Sequence, residues 1–137
     1  MRKWLRQAHI FAAESIRDQQ HGSVFVDPVG DRRISAGCNL VPSQVTEITT
    51  CELSATTTAI TFAARSGTPL RGCVLYTTEP TSSATEAKIL ILLGVKTIIR
   101  HAAKPVVSGI DEMLVTAGID TEYYDRPVLE YPCSKQL

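Results

Sequence analysis

The sequence predicts an α/β fold, a three-layer α-β-α sandwich around a mixed five-stranded sheet. Two observations predict it: an early β-hairpin, and after it three strands that alternate with helices. A hairpin supplies an antiparallel pair, whereas strands connected through helices run parallel and have helices on both faces of their sheet. The chain has 137 residues, enough for one such domain over residues 1–137 with a single core.

The first part of the chain predicts a helix and the hairpin. Residues 2–17 predict an amphipathic helix, because apolar residues recur there at helical spacing. These residues are Leu5, Ala8, Ala12 and Ile16. Residues 23–27 and 32–40 predict two strands, joined by the turn at 28–31.

The rest of the chain predicts a loop over 41–53 and then alternating helices and strands. The predicted helices are 54–67, 81–93 and 108–117, and the predicted strands are 73–78, 95–100 and 119–124. Gly67 and Gly94 are expected to end the first two of these helices, because glycine accepts the left-handed conformation common there. Ser83 and Glu86 have the spacing of a capping box.

The charge balance argues against a long polyanion as partner. Lys and Arg number 14, Asp and Glu also number 14, and the net charge is zero. A chain without a net field is better suited to a small nucleotide than to long DNA or RNA. The longest apolar run, at 89–93, is far short of a membrane span, which predicts a soluble protein.

The four cysteines predict a reduced, cytoplasmic setting. Cys38, Cys51, Cys73 and Cys133 have no C-x-x-C spacing, and the N-terminus has no features of a secretory signal. Cys38, Cys51 and Cys73 are interpreted as buried structural thiols or, alternatively, as a metal site of unusual spacing.

Several short motifs together resemble one known family. They are Gly22 with Val24–Asp27, Gly37-Cys38-Asn39, Ala59-Ile60, Leu75-Tyr76 and Glu79-Pro80. In this combination and order the chain resembles the cytidine deaminase-like fold, and within it the branch of deoxycytidylate and tRNA adenosine deaminases. The resemblance covers about residues 2–101 and gives little guidance beyond them.

The resemblance breaks at the residues that carry the family's chemistry. Such deaminases have H-x-E followed by P-C-x-x-C, in which one His and two Cys hold zinc and the Glu moves protons. Here Ser54 stands at the His position, Thr56 at the Glu position, and Thr81 and Ala84 at the Cys positions. Thr58 stands where a substrate-contacting Asn is frequent. The resemblance therefore implies a degenerate site.

The replacements predict a site without its cofactor. Hydroxyl groups are poor zinc ligands, a methyl group is none, and Thr56 cannot act as a general acid or base near neutral pH. We therefore expect no zinc at this site and no deamination.

Another ligand is one interpretation of the altered site. The helices that begin near Ser54 and Thr81 should converge, and helix N-termini favour anions such as phosphate or carboxylate. The residues expected to contact a nucleotide or small anion are Gly22, Asn39, Ser54, Thr56, Thr58, Thr81, Ser82 and Ser83. The alternative is that the hydroxyls only cap the two helices.

Three hypotheses about function follow. The first is a silent deaminase-like protein that binds a nucleotide or serves as a non-catalytic subunit, in a homo-oligomer or in a hetero-oligomer with a related chain. The second is an inactivated form of a zinc-dependent deoxycytidylate deaminase. The third is an enzyme of another reaction class that reuses the pocket through Cys51, Glu52 or Glu79.

Overall fold

The structure is a computed structural model that describes residues 2–17, 19–41, 52–105 and 109–127. Its helices are α1 (Arg2–Ala12), α2 (Ala55–Arg65), α3 (Ala84–Leu93) and α4 (Gly109–Thr116). Its strands are β1 (Gly22–Asp27), β2 (Arg32–Cys38), β3 (Val74–Thr77), β4 (Thr97–Arg100) and β5 (Asp120–Tyr123). These elements follow one another in the predicted order.

The strands form one mixed sheet, as predicted. Its order is β2-β1-β3-β4-β5. β1 is antiparallel to both β2 and β3, whereas β3, β4 and β5 are mutually parallel. The parallel pairs are those connected through α3 and α4, which is the expected result of a strand-helix-strand connection.

Helices cover both faces of the sheet and complete the three-layer sandwich. On one face α1 packs against Val24, Val26 and Tyr76. On the other face α2, α3 and α4 share a core with Phe25 and Leu75. Adjacent residues of β1 therefore serve opposite cores, because successive side chains of a strand alternate between its two faces.

The first predicted helix is too long. Helix α1 ends at Ala12, and Ile16, which was predicted to lie on its apolar face, is 96 % exposed. The chain turns away because the Ser15 hydroxyl donates to the Asn39 carbonyl just beyond β2, at 2.9 Å. A side-chain hydrogen bond to distant backbone thus overrides the helical spacing of the apolar residues.

The third helix also starts later than predicted. Ser83 is the N-cap of α3, so Thr81 and Ser82 precede the helix. Residue Ser82 is buried before the helix begins, where its hydroxyl accepts a hydrogen bond from Arg100 Nη2 at 2.6 Å. The predicted ends of α2 and α3 are confirmed: Gly67 and Gly94 have φ of 68° and 78°.

Some predictions fall on parts of the chain that the structure does not describe. Cys51, Cys133, most of the predicted loop and the start of the last predicted helix lie outside the described residues. Within the described residues, no helix is long and apolar enough to cross a membrane.

Candidate functional site

The amino end of α2 is closed by the buried carboxylate of Glu79. The N–H groups of Ala55 and Thr56 donate to its two oxygens at 3.0 and 3.1 Å, and the Thr56 hydroxyl donates to Oε1 at 2.7 Å. A helix N-terminus leaves N–H groups unpaired and favours negative charge. Glu79 therefore fills the position at which an external anion was expected.

A second carboxyl group, that of Glu86, reaches the same helix end from α3. The Ser54 hydroxyl and Glu86 Oε2 are hydrogen-bonded at 2.9 Å, and Ser54 is also the N-cap of α2, accepting from the Thr57 N–H. The predicted convergence of the two helix starts is thus confirmed. Glu86 Oε1 has no hydrogen-bond partner among the described residues.

Burial makes the Glu86 carboxyl unusually basic. The residue is 6 % exposed, and burial, followed by the negative charge of Glu79, raises the pKa of Glu86 to about 7. Removing a carboxylate from water disfavours its charged form, and a nearby negative charge adds to the effect. Near neutral pH this side chain is consequently present both as an acid and as a carboxylate.

The Ser83–Glu86 capping box forms only in part. The Ser83 hydroxyl accepts the Glu86 N–H at 3.1 Å, as the spacing predicts. The Glu86 side chain, however, binds Ser54 on the other helix. This tertiary contact replaces the local one and brings an acid into the candidate site.

A chain of buried hydroxyls continues from Thr56 into the sheet. Thr56 Oγ1 lies 2.8 Å from Ser23 Oγ on β1, and Ser23 Oγ donates to Thr77 Oγ1 on β3 at 2.7 Å. The Glu79 N–H donates to the same Thr77 oxygen. All four residues are buried, so each hydrogen bond avoids the cost of an unpaired polar group in the interior.

Arg100 joins this cluster from the end of β4. It is 1 % exposed, and its guanidinium donates to the Glu79 carbonyl at 3.0 Å and to the Ser82 hydroxyl. Both bonds fix the segment between β3 and α3. Its positive charge also offsets the two neighbouring carboxyl groups in part.

Two other predicted ligand contacts have structural partners in the fold. Asn39 is buried, accepts the His21 N–H through Oδ1 at 2.8 Å and donates to the Gln19 carbonyl at 2.6 Å. A Cβ at Gly22 would lie 1.9 Å from the Ala8 carbonyl oxygen, so glycine is required there by the approach of α1. Ligand contact by Asn39 and Gly22 stays a prediction.

The remaining predicted positions differ in burial. Thr58 is buried, and its hydroxyl has no partner among the described residues. Thr81, Ser83 and Ala84 are exposed, although Ser82 between them is buried. The structure therefore brings Ser54, Thr56 and Ser82 into one polar cluster and leaves their neighbours at its rim.

Sequence reasoning missed four participants: Ser23, Thr77, Arg100 and the side chain of Glu86. One signal was available for Glu86, because it precedes the core residue Leu90 by four positions and so shares its helix face. Glu79, a candidate for another reaction class, accepts the first N–H groups of α2. Glu52, another candidate, is bonded to Arg17.

The described cysteines and histidines form no metal site. Cys38 and Cys73 are free thiols, half-buried and buried respectively, as expected of structural cysteines. His9, His21 and His101 are half-buried. Over residues 2–17, 19–41, 52–105 and 109–127, no three or more His, Cys, Asp or Glu side chains are grouped so as to hold a metal ion.

Comparisons by sequence find no relative. No family model matches the chain, and no curated protein matches it.

Solved structures, in contrast, resemble it over most of its length. The dCMP deaminase of cyanophage S-TIM5 superposes with a TM-score of 0.76 at 19 % identity, covering 88 % of this chain and 94 % of that one. The chain has the cytidine deaminase-like fold. At this identity the likeness establishes the fold alone.

Two further deaminases share the fold. A diaminohydroxyphosphoribosylaminopyrimidine deaminase/5-amino-6-(5-phosphoribosylamino)uracil reductase of Thermotoga maritima gives a TM-score of 0.68 at 21 % identity, covering 89 % of this chain and 35 % of that larger one. The Rib2 deaminase of Aspergillus oryzae gives 0.64 at 19 % identity, with 88 % and 81 % covered.

Proposed function

We propose that this chain is a deaminase-like protein with a degenerate site, which binds a nucleotide without zinc and without deaminating it. The observation that carries the proposal is the hydrogen bond of 2.9 Å between Ser54 and Glu86. It joins the two helix starts at which the family resemblance places the metal ligands. We infer that this carboxyl–hydroxyl pair takes the place of the family's zinc ligands.

The side chains at this position do not fit a zinc ion. Zinc is held by thiolate, imidazole and carboxylate groups, usually four in a structural site and three in a catalytic one. The residues at the ligand positions offer the hydroxyls of Ser54 and Thr81 and the methyl group of Ala84. Glu86 adds a single carboxyl, which burial keeps partly protonated at neutral pH.

The residue at the proton-transfer position does not fit its role either. The Thr56 hydroxyl is fully buried and bonded to both Glu79 and Ser23. An alcohol neither ionises nor accepts a proton near neutral pH, so Thr56 cannot act as a general acid or base. The proposal therefore contains no chemical step.

Nucleotide binding is supported by the polar groups that remain. Glu86 Oε1 is buried and has no partner among the described residues, so it would accept an N–H from a base only if binding opened the cluster. Glu79 and Glu86 make the cluster acidic, so we expect the base to approach it and the phosphate to lie away from it. The S-TIM5 dCMP deaminase has been solved in complex with dCMP and dUMP, which makes pyrimidine nucleotides the first ligands to try.

The test combines metal analysis, activity and binding on the purified chain. We expect less than stoichiometric zinc, no release of ammonia from dCMP, and heat of binding for dCMP or dUMP in calorimetry. Glu86→Gln should weaken that binding, whereas Lys88→Ala, at an exposed position of the same helix, should leave it unchanged. One zinc per chain together with release of ammonia would refute the degenerate site. Absence of binding to dCMP and dUMP would refute the proposed nucleotide binding.

The other hypotheses stay predictions with their own tests. Co-purification with an active deaminase would support a non-catalytic subunit. Reverting Ser54→His, Thr56→Glu, Thr81→Cys and Ala84→Cys would test recent inactivation. Glu86 should then also be replaced, because its carboxyl would remain beside the new metal ligand at position 54.

A further inference from the structure

The four residues 124–127, which follow β5, form a strap on the α1 face of the sheet. The Tyr124 N–H donates to the Arg100 carbonyl at 2.7 Å, and the Tyr124 hydroxyl accepts from Arg2 Nε of α1 at 3.0 Å. The Tyr124 ring also packs against the core between α1 and the sheet. The strap therefore covers the edge of that core.

A histidine holds the outer part of the strap. His101 Nε2 lies 2.7 Å from the carbonyl oxygen of Arg126. Residues 125–127 are exposed, so apolar burial contributes little to their position. The hydrogen bond from His101 is consequently important for keeping them on the fold.

The same imidazole contacts a second histidine, which belongs to α1. His9 Nε2 and His101 Nδ1 are 2.6 Å apart, and both residues are half-buried. Because the Arg126 carbonyl only accepts, His101 carries a hydrogen on Nε2, and in the neutral ring its Nδ1 accepts from His9. The two facing nitrogens thus share one hydrogen.

The number of protons on the pair decides whether this contact can exist. One additional proton is compatible with it, since an imidazolium and a neutral imidazole still form an N–H···N hydrogen bond. Two additional protons are not, because both facing nitrogens then carry hydrogen and both rings are positive. Burial, followed by the charge of His101, accordingly lowers the pKa of His9.

The charges nearest to the pair add to this repulsion. Arg2 and Arg6 lie at helical spacing from His9 and share its face of α1. Burial and the charge of His101 are the causes of the lowered pKa of His9, so no carboxylate of the described residues compensates that charge. The other titratable groups on the elements packed here are Tyr76 of β3, Glu122 of β5, and Tyr124, Asp125 and Arg126 of the strap.

We propose that His9 and His101 form a pH-sensitive latch, which holds the strap in place near neutral pH and releases it when both rings are protonated. His9 belongs to a helix anchored by the fully buried Leu5 and Ala8, whereas His101 follows the end of β4. The His101 ring is therefore the one that turns away, and its hydrogen bond to Arg126 is lost.

The direction of the pH dependence follows from His9. Its pKa is lowered from 6.5 in the folded chain, so the latched state is fully stabilised above pH 6.5 and loses stability as pH falls. This inference does not depend on the proposed function. The strap lies on the α1 face, whereas zinc content and nucleotide affinity report on the α2–α3 cluster.

Hydrogen exchange of the Tyr124 amide tests the latch in the whole chain, because this amide is bonded to the Arg100 carbonyl while the strap is in place. We expect its protection factor to fall at least about tenfold between about pH 7.5 and about pH 5, since one pKa unit of linkage corresponds to a tenfold change in the equilibrium. The amide of Leu75, in the buried strand β3, is the internal reference and should keep its protection.

Two variants remove one titrating ring each. His9→Gln and His101→Gln retain a side-chain amide that both donates and accepts hydrogen bonds, so the contact no longer depends on protonation. In each variant the protection of Tyr124 should be independent of pH. His21→Gln, at another half-buried histidine, is the matched control and should respond as the wild type does.

Thermal melts show which variants fold, and either glutamine variant by itself decides the outcome. The proposal is overturned if the protection of Tyr124 in the wild type does not fall with pH, or if it falls together with that of Leu75. A folded glutamine variant that keeps the wild-type response also overturns it.

Discussion

Two ionisable side chains on opposite faces of the sheet, Glu86 and His9, have pKa values that burial shifts in opposite directions. Glu79 and Glu86 lie on the α2–α3 face, whereas His9 and His101 lie on the α1 face, with His9 Nε2 and His101 Nδ1 2.6 Å apart. Burial is the largest cause of both shifts: it raises the pKa of Glu86 and lowers that of His9. In each case the neutral form is favoured.

The histidine contact also fixes where the protons are. His101 Nε2 lies 2.7 Å from the carbonyl oxygen of Arg126, which can only accept, so His101 carries a hydrogen there. In a neutral ring Nδ1 is then an acceptor, and His9 donates to it through Nε2. Tyr124, itself bonded to Arg2, packs against His101.

Glu86 and His9 give stability opposite dependences on pH. The pKa of Glu86 is raised from 4.5 to about 7, so its contribution is complete below 4.5 and is lost as pH rises to about 7. The pKa of His9 is lowered from 6.5, so its contribution is complete above 6.5 and is lost as pH falls. Between about pH 4.5 and 6.5 we therefore expect the contributions of Glu86 and His9 to the free energy of unfolding to change in opposite directions and partly cancel.

The largest expected effect comes from removing the cap of α2. Glu79→Ala leaves the N–H groups of Ala55 and Thr56 and the Thr56 hydroxyl without their buried acceptor. We expect a loss of about 4 kcal/mol in the free energy of unfolding, measured with urea. The variant should also lower the pKa of Glu86, because the charge of Glu79 contributes to its shift. Glu52→Ala, in a partly exposed ion pair, should cost at most about 1 kcal/mol; equal losses would contradict this account.

A smaller effect, visible only on the alkaline side, is expected for Glu86→Gln. Ionising Glu86 in the folded chain costs about 3 kcal/mol, from its pKa shift at 1.36 kcal/mol per unit. The variant avoids this cost and should be the more stable protein at about pH 9, with little difference at about pH 4. Urea unfolding at both pH values measures this difference in the free energy of unfolding. The control is the exposed Glu112→Gln; a pH-independent difference at Glu86 would show that the shift is absent.

The smallest effect is expected for the histidine pair. His101→Ala removes one half-buried hydrogen bond, about 1 kcal/mol at neutral pH, and relieves His9 of the charge that helps to lower its pKa. The variant should therefore lose less stability than the wild type as pH falls below 6.5. NMR titration of His9 should show its pKa rising. His21→Ala serves as control. If His101→Ala loses as much stability below pH 6.5 as the wild type does, His101 does not lower the pKa of His9.

Much of the fold could be predicted because its signals are local. Gly67 and Gly94 end helices through their own backbone freedom, and Ser54 and Ser83 begin helices by accepting N–H groups three residues away. Where the prediction was wrong, a distant contact intervened: Ser15 binds the Asn39 carbonyl and so ends α1 before Ile16. Helical spacing alone cannot reveal such a partner.

The sequence by itself determined the order of helices and strands and the mixed sheet. The tertiary structure decided which side chains meet. Ser54 and Glu86 are 32 positions apart, and Ala55 and Glu79 are 24 apart. Caps and periodicity depend on residues within one helical turn, whereas these pairs form only when the sheet holds two helix starts together. Burial there then sets the protonation of Glu86, and burial is a property of the packed fold.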